Sequence, residues 1–185
     1  MLVLASASPR RAALLTAAGY TFVVRPVDVD ESLRPDESPH AAVHRLASAK
    51  AALAPKAHGE VVLAADTLVA VDDVVLGKPR DADEARAMLL RLSGRPHQVM
   101  TGVACEVGDR GRTEVVTTRV WMAALTDAQV DWYVASGEPF DKAGGYGIQG
   151  LASRFVTHLE GSYTNVVGLP VATVAALLAE HAGIC

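Results

Sequence analysis

The 185-residue sequence predicts an α/β protein with a mixed central sheet flanked by helices. Short apolar runs alternate with longer segments of helical period. Most of those segments open on a cap residue and close on glycine or proline. One pair of apolar runs is separated by Asp72-Asp73, a two-residue turn signal that adds an antiparallel hairpin to the βα alternation.

The elements follow in order. Residues 1–5 form a buried strand, and Pro9–Ala18 a helix with Ser8 as N-cap, proline at its first position and Gly19 as its stop. The run TFVVRPVDVDE (21–31) is a second strand ending in acid, and Ser38-Pro39 starts a helix that runs to about Ala54 before Pro55. Residues 60–79 are the hairpin around Asp72-Asp73. In DADEARAMLLRLSG (81–94), Asp81 caps a helix, Glu84 is its capping-box partner and Gly94 ends it. HQVMTGVACEV and TEVVTTRVWMAAL are two longer strands joined across GDRG, and residues 126–137 are a helix boxed by Thr126 and Gln129. A glycine-rich loop (142–150), a short strand near Phe155–Leu159 and a last helix in GLPVATVAALLAEH complete the order βαβαββαββαβα.

Composition narrows the function. A net charge of −4 and a pI near 5.8 argue against a broad nucleic-acid-binding surface, so local basic residues point to a small anion. No segment approaches 18 uninterrupted apolar residues, and no membrane span is expected. The start MLVLASASPRR lacks a basic n-region, so a secretory leader is not expected either. Cys105 and Cys185 form neither a metal-ligand spacing nor a disulfide framework, which fits a reducing cytoplasm. His40 and His44 stand at i,i+4 without a third ligand downstream.

The informative residues break a pattern. Arg10 and Arg11 sit at the start of a helix, where cations are disfavoured by a few tenths of a kcal/mol, so something negative is expected nearby. Asp66 interrupts the apolar run VVLAADTLVAV, and a buried carboxylate needs a partner unless the strand ends there in a turn. With Asp72-Asp73 as the turn, paired positions sum to 145, setting Thr67 opposite Lys78 and Asp66 opposite Pro79. Lys50 falls on the apolar stripe Val43-Leu46-Leu53, either snorkelling to water or pointing its ammonium into a site. Glu31 closes the acidic run VDVDES. DKAGGYGIQG (141–150) is flexible backbone able to approach a ligand, but it lacks the order of a P-loop. Clustered cations at a helix start form a phosphate site, and carboxylates beside it suit a hard divalent ion. The chemistry implied is hydrolysis at a phosphoryl or phosphoanhydride centre. No G-x-S-x-G or H-E-x-x-H supports acyl transfer or zinc proteolysis.

At these residues the sequence resembles the Maf family of nucleoside triphosphate pyrophosphatases. LASASPRR, VDES, AADT, LGKPRDADEARAMLLRLSG, HQVMTGV, DKAGGYGIQG and GSYTNVVGLP all stand in the family's order. The resemblance implies one such domain over residues 1–185, with two lobes around a cleft as in inosine-triphosphate-type pyrophosphatases. It also implies cleavage of a nucleoside triphosphate to the monophosphate and pyrophosphate, a divalent metal (Mg²⁺ or Mn²⁺), a cytoplasmic location and a homodimer. Residue by residue, it makes Asp66 the acid that accepts a proton from water and Glu31 an acid of metal binding and catalysis, with Asp66 a second metal ligand. Ser8, Arg11, Lys50 and Lys78 line the triphosphate site, Lys78 being counted with the catalytic groups. Arg10, Thr67 and Gln149 fall at the positions of substrate choice, in a combination similar to the subfamily acting on dTTP and UTP. Gly145 stands where that subfamily's loop leads one to expect alanine. The rival expectation is a nucleotide-sensing or division-associated protein in which hydrolysis is incidental.

Overall fold

The computed structural model describes residues 1–184, so the reading of Cys185 lies outside the described residues. Its elements are β1 (Leu2–Leu4), α1 (Pro9–Ala17), β2 (Phe22–Val24), α2 (Pro39–Leu53), β3 (Val61–Val71), β4 (Val74–Leu76), α3 (Ala82–Leu92), β5 (Pro96–Val107), β6 (Arg110–Met122), α4 (Asp127–Ala135), β7 (Val156–Glu160), α5 (Tyr163–Val167) and α6 (Val171–Ala182). Among the described residues the strands form one mixed sheet in the order β2-β1-β3-β5-β6-β7, with β4 paired to β3. The predicted α/β class therefore holds. Among the described residues no helix is long and apolar enough to cross a membrane.

The described residues form two compact units. The first comprises Met1–Thr67, Thr101–Val116 and the segment from Gly168 onward; the second comprises Leu68–Met100 and Thr117–Val167. In the first unit β1 pairs in parallel with β2 and β3, and the alternation of side chains along a strand sorts two apolar layers. Leu2, Leu4, Val61, Leu63 and Ala65 pack with Leu15 of α1 and Val174, Leu177 and Leu178 of α6. Val3, Ala5, Val62 and Ala64 pack with Ala47, Ala51 and Ala54 around α2. The second unit has its own core, in which Val69, Val71 and Leu76 of the hairpin meet Leu89, Val99, Val120, Tyr133 and Phe155.

Local chemistry explains most boundaries. Asp72 and Asp73 both take positive φ (52° and 60°), as a primed turn requires, and Val71↔Val74, Ala70↔Val75 and Val69↔Leu76 keep the predicted sum. Thr126 and Gln129 close the expected capping box on α4. Three expectations change. The strand read over 21–31 ends at Val24, because β1 is three residues long and Pro26 has no N–H for a ladder; the last bond is Arg25 N–H to Leu4 O at 3.0 Å. The hairpin ladder stops at Leu76, because Gly77 turns its carbonyl to the Gly144 N–H (2.9 Å), so the Thr67–Lys78 pairing does not form. Glu84 accepts the Arg80 N–H at 2.7 Å rather than that of its expected box partner Asp81. The short α5 adds one helix to the predicted order.

Candidate active site

The sheet's alternation decides where the polar intruder of β3 points. Asp66 follows Val62 and Ala64 in parity and so faces the α2 layer, whereas Thr67 has the opposite parity. On α2, Lys50 lies three residues after Ala47 and four before Ala54, within the stripe that packs on that layer. The two side chains therefore meet. Lys50 Nζ donates to Asp66 Oδ1 at 2.6 Å, with side-chain exposures of only 10% and 8%. The same ammonium donates to Glu31 Oε1, also at 2.6 Å, from a carboxylate that is 57% exposed. Lys50 thus does not snorkel. Its buried charge is compensated by two carboxylates, the condition under which burial of an ion is tolerated. The two bonded oxygens can be no more than about 5.2 Å apart, twice the bond length.

Close backbone packing holds α2 in place. A Cβ at Gly102 of β5 would stand 2.4 Å from the Val43 carbonyl oxygen and 3.1 Å from the Ala47 Cβ. Only glycine lets helix and strand approach this closely.

At the start of α1 the two arginines separate. Arg11 turns inward: its Nε donates to Gly168 O (2.8 Å), Nη1 to Ala65 O (2.7 Å) and Ser6 Oγ (3.1 Å), and Nη2 to Thr67 Oγ1 (3.1 Å). Burial lowers its pKa from the ordinary value; the charges of Asp66 and Glu31 oppose that shift, while neighbouring Arg10 adds to it. The cation at the helix start is thereby satisfied by two carbonyls, two hydroxyls and nearby acids. Thr67 also shares a hydrogen bond with Thr101 at 3.0 Å. Ser8 has the extended backbone of an N-cap (φ −71°, ψ 116°), and its N–H donates to Ser6 Oγ at 3.3 Å. Arg10 is partly buried beside it.

The second unit carries the other two candidates. Lys78 is exposed between Gly77 and Pro79. Gln149 is exposed in the glycine-rich loop, where Gly144 and Gly145 take φ of +71° and +68°. That left-handed backbone accounts for glycine at position 145, since a side chain there would cost about 1 kcal/mol. Tyr146, buried behind the loop, shares a 2.6 Å hydrogen bond with His97 Nε2. Burial lowers the His97 pKa to about 4, so the ring is neutral at pH 7.

The profile of the Maf-like protein family matches residues 1–181. The chain belongs to the Maf family. The dTTP/UTP pyrophosphatase of Myxococcus xanthus is 52% identical over 185 residues, covering 100% of this chain and 93% of its own. That of Anaeromyxobacter dehalogenans (strain 2CP-C) is also 52% identical, over 96% of this chain and 92% of its own. Among solved structures, the Staphylococcus aureus Ham1 protein is 16% identical over 66% of this chain and 71% of its own, with a TM-score of 0.48.

Within this Maf chain the first unit gathers Arg11, Lys50, Glu31, Asp66 and Thr67 through ion pairs, hydrogen bonds and the charges of Asp66 and Glu31 on Arg11. The ammonium at Asp66 comes from Lys50. Sequence reasoning missed Ser6, Thr101 and Gly168. Ser6 carried a signal, a polar residue directly after a fully buried strand. The Gly168 carbonyl carried none, because its partner is 157 residues away.

The donor set also bears on a metal. Among the described residues no group of three or more His, Cys, Asp or Glu gathers to hold one. Magnesium needs only one or two carboxylates when phosphate oxygens complete its shell; Glu31 and Asp66 are hard-oxygen donors on either side of the Lys50 ammonium, which takes one oxygen of each. The pair fits a hard divalent ion bound together with an anionic substrate.

Proposed function

We propose that this chain hydrolyses dTTP and UTP to the nucleoside monophosphate and pyrophosphate. The observation that carries the reading is the Lys50 ammonium seated between Asp66 and Glu31 at 2.6 Å from each. Such a cluster places a carboxylate base and a fixed positive charge side by side, as water attack on a phosphoanhydride requires. The names of the 52% identical relatives support the same substrates.

In this mechanism Asp66 takes the proton of a water that attacks the α-phosphorus. The bond from that phosphorus to the bridging oxygen breaks, and pyrophosphate leaves. Lys50 orients the Asp66 carboxylate and offsets charge that grows on the phosphates. Glu31 and Asp66 would hold a Mg²⁺ or Mn²⁺ ion, which supplies charge neutralisation on the phosphate oxygens. The family resemblance assigns Ser8, Arg11, Lys50 and Lys78 to the triphosphate, and Arg10, Thr67 and Gln149 to substrate choice. Arg11 acts by holding Thr67 and the carbonyls of Ala65 and Gly168 in position, its positive charge close behind the cluster. Gln149, with one amide donor and one acceptor, complements the O4 and N3–H edge shared by uracil and thymine. The resemblance further supports a cytoplasmic homodimer.

A panel of triphosphates scored for product identity tests the reading. Many pyrophosphates released per chain from UTP and dTTP are expected, and a single nucleotide retained intact would favour the sensing role instead. Asp66→Asn should lower kcat by ~10²–10⁴-fold without loss of fold. Wild-type turnover in that variant, or preference for ATP or GTP, refutes the assignment.

A further inference from the structure

Gln149 is carried at the corner of a tight turn, Gly147 to Gly150, closed by the Gly150 N–H to Gly147 O bond at 3.1 Å. An exposed amide on a glycine-rich turn would discriminate poorly between bases if the turn were loose. Both ends of this turn lie against one carboxylate. On the far side, Leu151 N–H donates to Glu138 Oε2 at 2.8 Å. On the near side, Glu138 Oε1 accepts from the Tyr133 hydroxyl at 2.9 Å, and a Cβ on Gly147 would stand 3.7 Å from that same oxygen. Tyr133 is fully buried in α4, so the hydroxyl is a fixed post. Glu138 lies flush against the turn: a Cβ on Gly150 would stand 2.4 Å from its Oε1 and 2.5 Å from its Oε2. Gly150 has negative φ (−102°), so it is the seated carboxylate rather than the backbone that demands glycine there. The Glu138 main chain is held as well, its N–H by Ser136 Oγ at 3.2 Å and its carbonyl by Lys142 Nζ at 2.8 Å.

We propose that Glu138 is a specificity-positioning residue, whose carboxylate, oriented by Tyr133, clamps the Gly147–Leu151 turn and so fixes where the Gln149 amide meets the pyrimidine. The proposal rests on the reading that Gln149 recognises the base. Glu138 makes no contact with the reacting phosphates in this role, and it acts only through Gln149. Both oxygens are committed, Oε2 to the Leu151 N–H and Oε1 to the Tyr133 hydroxyl, so a glutamine, with one acceptor oxygen, preserves half of the clamp, and a leucine preserves none.

The test measures kcat and KM for UTP, dTTP and CTP on the full chain carrying Glu138→Leu, Glu138→Gln, Gln149→Ala or Glu138→Leu with Gln149→Ala. Glu138→Leu should raise KM for UTP and dTTP about tenfold and lower their preference over CTP similarly, with kcat changed less than about twofold. Glu138→Gln should recover much of that loss, and the double variant should discriminate no worse than Gln149→Ala alone. Gly150→Ala, which evicts the carboxylate without removing it, should reproduce the Glu138→Leu pattern and carries the test if the leucine variant does not fold. If Gln149→Ala destroys discrimination while Glu138→Leu and Gly150→Ala leave KM and discrimination intact, the clamp is overturned and base reading stands. If Gln149→Ala leaves discrimination intact, base reading falls and the clamp's role in selectivity falls with it. A double variant that discriminates worse than Gln149→Ala alone would show Glu138 acting by another route and overturn the proposal.

Discussion

Gly102→Ala tests the link between packing in the first unit and the charge cluster. The added methyl would lie 2.4 Å from the Val43 carbonyl oxygen and 2.9 Å from its carbon, both backbone atoms of α2. An ordinary carbon–oxygen contact is about 3.3 Å, so α2 must retreat by roughly 0.9 Å. No rotamer change relieves a clash between backbone and Cβ. Overpacking of this kind costs about 1–3 kcal/mol. For a chain of this size each kcal/mol lowers Tm by roughly 2–4 °C, so a loss of about 2–12 °C is expected in calorimetry. The displacement should also reach the chemistry. Lys50 lies on the same helix two turns after Val43, and its 2.6 Å contacts with Asp66 and Glu31 tether the cluster. Misplacement near 1 Å can cost up to about 10²-fold in rate, so kcat should fall clearly even at temperatures where the variant is folded. A Gly102→Ala protein with Tm within about 1 °C of wild type and unchanged kcat would refute both the packing argument and its coupling to Lys50.

Two further predictions concern arginines. Arg11→Lys keeps the charge but not the planar fork, so it cannot satisfy Gly168 O, Ala65 O, Ser6 Oγ and Thr67 Oγ1 together; urea unfolding should show a loss of roughly 1–3 kcal/mol, and unchanged stability would sink the inward role. The paired hydrogen bonds from Arg25 hold the Glu60 carboxyl at a pKa of about 2, well below its ordinary 4.5. A depressed acid contributes stability above its unfolded value and loses it as pH falls, here between about 4.5 and 2. The Tm gap between wild type and Arg25→Gln should therefore be widest near neutrality and narrow through that window; a constant gap would contradict the linkage.

Much of the fold was legible because its signals are local. Ser38-Pro39, Asp81 and Thr126 mark helix starts through bonds to the next few residues, and Asp72-Asp73 set a hairpin register that the structure keeps to the residue. The overlong strand over 21–31 shows the limit: its apolar pattern was sound, but a strand needs a neighbour, and β1 offers only three residues. Glu31 was found as an acid, yet its place at Lys50 depends on that irregular segment and no periodicity describes it.

The sequence by itself determined the alternation of strands and helices, the turn at Asp72-Asp73, and the misfit of Asp66 and Lys50 among apolar neighbours, because strand and helix periods and caps act over a few residues. Tertiary structure alone decided the partners. Lys50 reaches Asp66 and Glu31 across 16 and 19 residues, and Arg11 reaches Ala65 and Gly168 across 54 and 157. Those contacts exist only after the layers have packed, since the sheet's parity and the depth of α2 on β5 set which polar atoms meet.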